Sequence, residues 1–240
     1  MSTTLVIVGT QMLQPAATWT AGVLSRAGRS VQHVQAAGPA LTVADESSPV
    51  NLWAVSEPMT LPVRSEPSAW SPRAVAVLDD CGVQDLALFG AEGAMVLRRD
   101  LPCVAALEPA AIPTGRGPRS APKVPPREVI TLGLDAPVKP GDWGCVIESG
   151  MHWLVRAVAS DEGGRRRKEG SPAQEVDIHL QRLMPTQALP GWSDDVAEQQ
   201  LRVIAALTAL TLGSLVSVSL AVMLHALRDP RGWNVGGELA

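Results

Sequence analysis

Hydrophobic and polar positions follow three patterns along this chain, and each predicts a different element. Short apolar runs at 4–9, 73–78 and 85–89 read as strands, with looser alternation at 30–35. Residues 17–27 have the spacing of a short helix that Gly28 would end. Period-2 alternation dominates 128–184 and predicts strands at 128–134, 143–148, 151–159 and 175–183. Ser149–Gly150 is a two-residue hairpin turn, and Val176, Ile178 and Leu180 alternate with Asp177, His179 and Gln181. The third pattern, residues 203–227, is apolar or small all round. Arg202 and Arg228 flank it, and only His225 inside it titrates.

As one helix, 203–227 would span roughly 37 Å, enough to cross a hydrocarbon core of about 30 Å with some tilt. A single-pass C-terminal anchor is therefore expected, with Trp192 and Trp233 near its two ends as interfacial residues alongside Arg202 and Arg228. Ala205, Ala209, Gly213, Ser217 and Ala221 recur at every fourth position. Such a small-residue stripe predicts self-association or docking on another membrane helix. Asp195 and Glu198 fall in the first turn of the helix leading in, which Ser193 or Asp194 can cap. Arg182 and Arg202 on one side balance Arg228 and Arg231 on the other, so charge leaves the topology open. The alternative is a helix buried in an oligomer.

Punctuation divides the rest. Residues 1–108 read as an N-terminal β-rich or α/β domain, 109–127 as a Pro-rich linker and 128–186 as a small antiparallel β module. A juxtamembrane segment (187–202), the span (203–227) and a tail (228–240) follow. Prolines at 49, 58, 62, 67 and 72 exclude a helix between 40 and 71 and confine strands there to edge pieces. The segment 94–98 is expected to pair back as a hairpin after the turn at 91–93.

Composition adds limits. The net charge of −4 argues against nucleic acid as a main partner. Seven Trp, one Phe and no Tyr, with 20 Pro and 21 Gly, suit small β-rich modules better than a helical bundle. Cys81, Cys103 and Cys145 form no CxxC pair and support neither zinc nor a disulfide framework. The N-terminus has no basic region and too short an apolar core for a secretory signal. Arg165, Arg166, Arg167 and Lys168 concentrate charge on a hairpin tip at 160–172. They can meet lipid headgroups or other phosphates, with a solvated tip as the plainer reading.

The order of strand, PVKPGD turn, short strand, Ser–Gly turn, WLVRAV strand, long tip and return strand resembles small β-barrel modules of bacteriophage neck and head–tail joining proteins. Gly141, Asp142, Gly150, Trp153 and Val155 carry the resemblance. It implies a non-enzymatic adaptor in virion assembly, with other structural subunits as partners.

Chemistry is hard to find in the sequence. The opening strand–helix–strand is like a dinucleotide-binding start, but Thr10, Gln11 and Met12 follow Gly9 where GxGxxG is needed. GxSxG, HExxH and GxxxxGK[ST] are absent. His33, His152, His179 and His225 are scattered; His152 and His179 on neighbouring strands make at most a partial metal set. Asp79–Asp80 reads as a solvated turn. The expectation is a mainly β protein, possibly α+β at its N-terminus, with one transmembrane helix. It has no cofactor and no catalytic residues, and sits in a virion or bacterial inner membrane. The rivals are a soluble neck subunit and a membrane-tethered enzyme with a dispersed site.

Overall fold

The computed structural model describes residues 3–9, 13–36, 50–55, 73–79, 93–101, 128–160 and 177–234. Their strands are β1 (Thr3–Val8), β2 (Val31–Ala36), β3 (Val50–Val55), β4 (Ala74–Val77), β5 (Ala94–Arg98), β6 (Glu128–Leu132), β7 (Trp143–Glu148), β8 (Met151–Ala159) and β9 (Ile178–Pro185). Helices α1 (Gln14–Arg26), α2 (Val196–Leu215) and α3 (Leu220–Arg228) accompany 3₁₀ turns at Thr186–Ala188 and Pro230–Trp233.

All nine strands belong to one sheet in the order β2-β3-β1-β4-β5-β6-β7-β8-β9. From β2 to β6 every pairing is parallel, and β6 meets β7 in parallel at Leu132 and Trp143. The β7–β8 and β8–β9 pairs are antiparallel. The expected small barrel is therefore corrected to a mixed α/β sheet. β6 pairs with β5 (Ala94 beside Glu128), so the strands from 128 onward extend an open sheet and do not close on themselves. β5 is no hairpin partner either. It runs parallel to β4, and both are buried along their length, as interior strands of a parallel sheet are. β3 is interior too, since the prolines at 49 and 58 flank it and none falls within it.

One row of side chains runs across the sheet from β1 to β9. Leu5, Ala74, Ala94, Ile130, Leu132, Trp143, Cys145, Leu154 and Met184 share a face by register, and all lie in one buried cluster with α1 and α2. The opposite face buries Val6, Val75, Val77, Met95 and Leu97. Short alanines at 74, 76 and 94 keep the sheet surface low where α2 crosses it.

The apolar run 203–227 is two helices, which overturns the predicted anchor. α2 ends in a Schellman motif: the Val218 amide donates to the Gly213 carbonyl (2.9 Å) and the Ser217 amide to the Ser214 carbonyl (3.1 Å). Ser217 adopts φ 61°, the left-handed conformation that this motif requires. The Arg29 guanidinium donates to the Val216 carbonyl at the same break. Ser219 then caps α3, its hydroxyl accepting from the Val222 amide. Residues 202–213 of α2 are buried against α1 and strands β4 to β7. Among the described residues no helix is long and apolar enough to cross a membrane. The cap of α2 is Asp195, whose carboxylate accepts from the Ala197 amide at 2.8 Å, and not Ser193 or Asp194. α1 ends as expected, with Gly28 at φ 83°.

Candidate functional site

Two places in this fold could hold a ligand. The first is the crevice outside the carboxyl ends of β1 and β4, where the strand order reverses: β3 and β2 lie to one side of β1, β4 to β6 to the other. At this edge the Leu78 amide donates to the Val8 carbonyl at 2.9 Å, tying the end of β4 to β1. Arg98 joins the strand ends, donating to the Leu78 carbonyl (3.0 Å) and, through Nε and Nη2, to Asp100. That pairing holds the Asp100 carboxyl below the usual range and raises the Arg98 guanidinium.

The second is a cavity of about 500 Å³ between the β7–β8 hairpin, the 3₁₀ turn after β9 and the start of α2. Among the described residues its wall includes Cys145, His152, Thr186, Trp192, Gln199 and Gln200, and no Asp, Glu, Lys or Arg. The Thr186 hydroxyl is buried there without a partner. Burial pushes the Cys145 thiol up to about 12, so it is a proton-bearing, unreactive group at neutral pH. The wall is rich in hydrogen-bonding groups.

The site residues expected from the sequence lie elsewhere than at a membrane. Ala205 and Ala209 are core, and Gly213 admits the Met223 side chain of α3. Ser217 sits in the helix break, and Ala221 is exposed at the start of α3. Trp233 is buried, donates to the Leu227 carbonyl (2.9 Å) and stands 5.7 Å from the Trp19 ring. Arg202 lies over Trp19 at 4.6 Å and bonds the Pro190 carbonyl and Glu198. Arg228 is exposed in the last turn of α3, and Trp192 is half-buried at the cavity. Arg165 to Lys168, the linker 109–127, strand 85–89, Asp80, Cys81 and Cys103 lie outside the described residues. His152 pairs with Ile147 and His179 with Val158, so the two histidines are not opposite each other. Among the described residues no three His, Cys, Asp or Glu gather to hold a metal.

Sequence reasoning also missed a polar lock at the β5–β6–β7 seam. Asp142, buried, accepts the Thr131 amide at 2.7 Å. Arg99 reaches across to Asp135, Thr131 and the Trp143 carbonyl. Gly133 and Gly144 leave room for that guanidinium, which comes within 2.9 Å of where a Cβ would stand on either. A buried Asp eleven residues from its amide partner has no local signal; Asp142 reads as an ordinary turn residue.

Comparison with known proteins decides the relationship. Over 145 residues, 60% of the chain, it is 39% identical to a UDP-N-acetylmuramoylalanine–D-glutamate ligase of Polaromonas sp. strain JS666. The likeness is to Mur-type ligases, not to a virion protein. The chain spans about a quarter of the length of the curated relatives it matches, 22% in that case. No protein-family model matches it. The fold is shared with the UDP-N-acetylmuramate:L-alanyl-gamma-D-glutamyl-meso-diaminopimelate ligase of Neisseria meningitides (TM-score 0.52, 12% identity, 95% of this chain and 65% of that one). It is also shared with an FPGS–AMPPCP complex (TM-score 0.51, 10% identity, 95% and 63%). These findings overturn the phage resemblance and, with it, the expected virion partners, membrane location and non-enzymatic class.

The crevice outside β1 and β4 is where an open parallel sheet ordinarily receives its ligand, phosphate groups among them. A phosphate cradle between strand and helix needs glycines for close approach, free amides and a lysine. The β1–α1 turn has Leu13 at the N-cap and Pro15, which lacks an amide hydrogen, in the first helical turn. The first lysine in the chain is Lys123. The residues do not fit a triphosphate.

Proposed function

We propose that this chain is an α/β domain of a Mur-type amide ligase and that it holds the muramoyl-peptide substrate. The 39% identity over 145 residues to a UDP-N-acetylmuramoylalanine–D-glutamate ligase carries the reading. The cavity beside α2 supports it chemically. Carboxamides of Gln199 and Gln200 and the Trp192 side chain suit amide and hydroxyl groups of a sugar–peptide better than a bare carboxylate or phosphate. Bond formation needs reactive groups beyond these.

The test is a titration of the protein with UDP-N-acetylmuramoylalanine and, separately, with D-glutamate, followed by calorimetry and tryptophan fluorescence. Saturable binding of the muramoyl compound is expected, weakened about tenfold, or roughly 1.4 kcal/mol, by Gln199→Ala. Absence of binding by both compounds up to millimolar concentration would overturn the reading.

A further inference from the structure

We infer that the β1–α1 turn of this chain does not take a nucleoside triphosphate, so that any phosphoryl donor used with this domain is held elsewhere. The inference depends on the ligase reading only for the reason to expect a triphosphate.

Several elements of a phosphate cradle are replaced at this turn by something that opposes them. Leu13 lies against Gly9: a Cβ on Gly9 would meet Leu13 Cβ at 3.0 Å and Cδ1 at 3.1 Å, so the glycine's open side is filled with hydrocarbon. No glycine occurs between Gly9 and Gly22, so the backbone that would wrap a phosphate carries side chains throughout. Pro15 removes one of the helix-terminal amides that would point at an anion. Gln14 buries its Oε1 without a donor, adding an acceptor where a triphosphate brings only more acceptors. The hydroxyls of Thr18 and Thr20 donate back to the Gln14 and Ala16 carbonyls, within α1. Arg98, a cation at this edge of the sheet, is engaged by Asp100 and the Leu78 carbonyl. A triphosphate carries about four negative charges, and among the described residues of this turn neither a lysine nor a free guanidinium offsets the loss of water around them.

The experiment is ³¹P NMR and equilibrium dialysis of the whole chain with ATP and Mg²⁺, up to about 5 mM nucleotide. Two variants place a carboxylate at the turn, Leu13→Asp and Pro15→Glu. Both are favourable residues for the start of a helix, so either keeps the comparison usable where the other fails to fold. No saturable binding to the wild-type chain is expected. Saturable binding that persists in the carboxylate variants also agrees, because it puts the nucleotide outside this turn. Micromolar binding lost at least tenfold in a folded Leu13→Asp or Pro15→Glu variant overturns the inference. Muramoyl-substrate binding, measured on the same samples, reports separately on the ligase reading, so the two can fail independently.

Discussion

Ser217→Gly separates the bent pair of helices from a continuous one by the sign of its effect. Ser217 is exposed and sits at φ 61°, where an L side chain costs roughly 1–2 kcal/mol that glycine does not incur. Against this stands the extra freedom of glycine in the unfolded chain, about 0.5–1 kcal/mol. The net expectation is a gain of about 0.5–1 kcal/mol, or about 1–4 °C in Tm for a domain of this size. In an uninterrupted helix the same change would cost about 0.5 kcal/mol, and Ser217→Ala would gain a similar amount. In the Schellman motif Ser217→Ala keeps the strain and gives no gain. Urea denaturation of the three proteins, with m held common, reads the order directly. Glycine above serine and alanine agrees with the break; alanine above serine above glycine would refute it.

Gly22→Ala should destabilise by about 1–3 kcal/mol despite its better helix propensity, because the new methyl would sit 3.0 Å from the Gly232 carbonyl carbon and 3.2 Å from its Cα. In a Trp233→Ala background, where the last 3₁₀ turn is loosened, the same change should become neutral or stabilising; thermal melts of the four proteins check this. Asp142→Ala leaves the Thr131 amide buried without its acceptor and should cost about 1–3 kcal/mol by chemical denaturation. For Cys145 the folded pKa of about 12 exceeds its ordinary value of 9.0. The unfolded chain therefore loses the proton first as pH rises. Stability should fall by about 1 kcal/mol per pH unit between 9 and 12 relative to Cys145→Ala, while at pH 8 the native thiol should resist alkylation. Arg202→Lys should cost about 1–2 kcal/mol in the same denaturation assay, since an ammonium cannot both stack on Trp19 and bond Pro190 and Glu198.

What the sequence made legible was whatever is decided locally. The β7–β8 hairpin, its Ser149–Gly150 turn and the stop of α1 at Gly28 all follow from alternation and from residues that adopt positive φ, and the structure has them where expected. Partner choice was not legible. The segments AVAV and AMVL fit a hairpin or two parallel neighbours equally well, and only the intervening chain can tell them apart. The apolar run failed for a different reason. Hydropathy along 203–227 measures removal from water, and a helix lying across four strands under α1 is as dry as one in lipid. The stripe at 205, 209 and 213 likewise marks close approach of another element without saying whether that element belongs to the same chain. The informative residues are the serines at 214, 217 and 219. Spaced through β-branched residues, they supply one left-handed C′ position and one N-cap, the end of one helix and the start of the next. The candidate site repeats the pattern. The absence of GxxxxGK[ST] was visible from the residues, but its meaning depends on strand order, which puts Gly9 and Leu13 at the point where an open parallel sheet ordinarily receives its ligand.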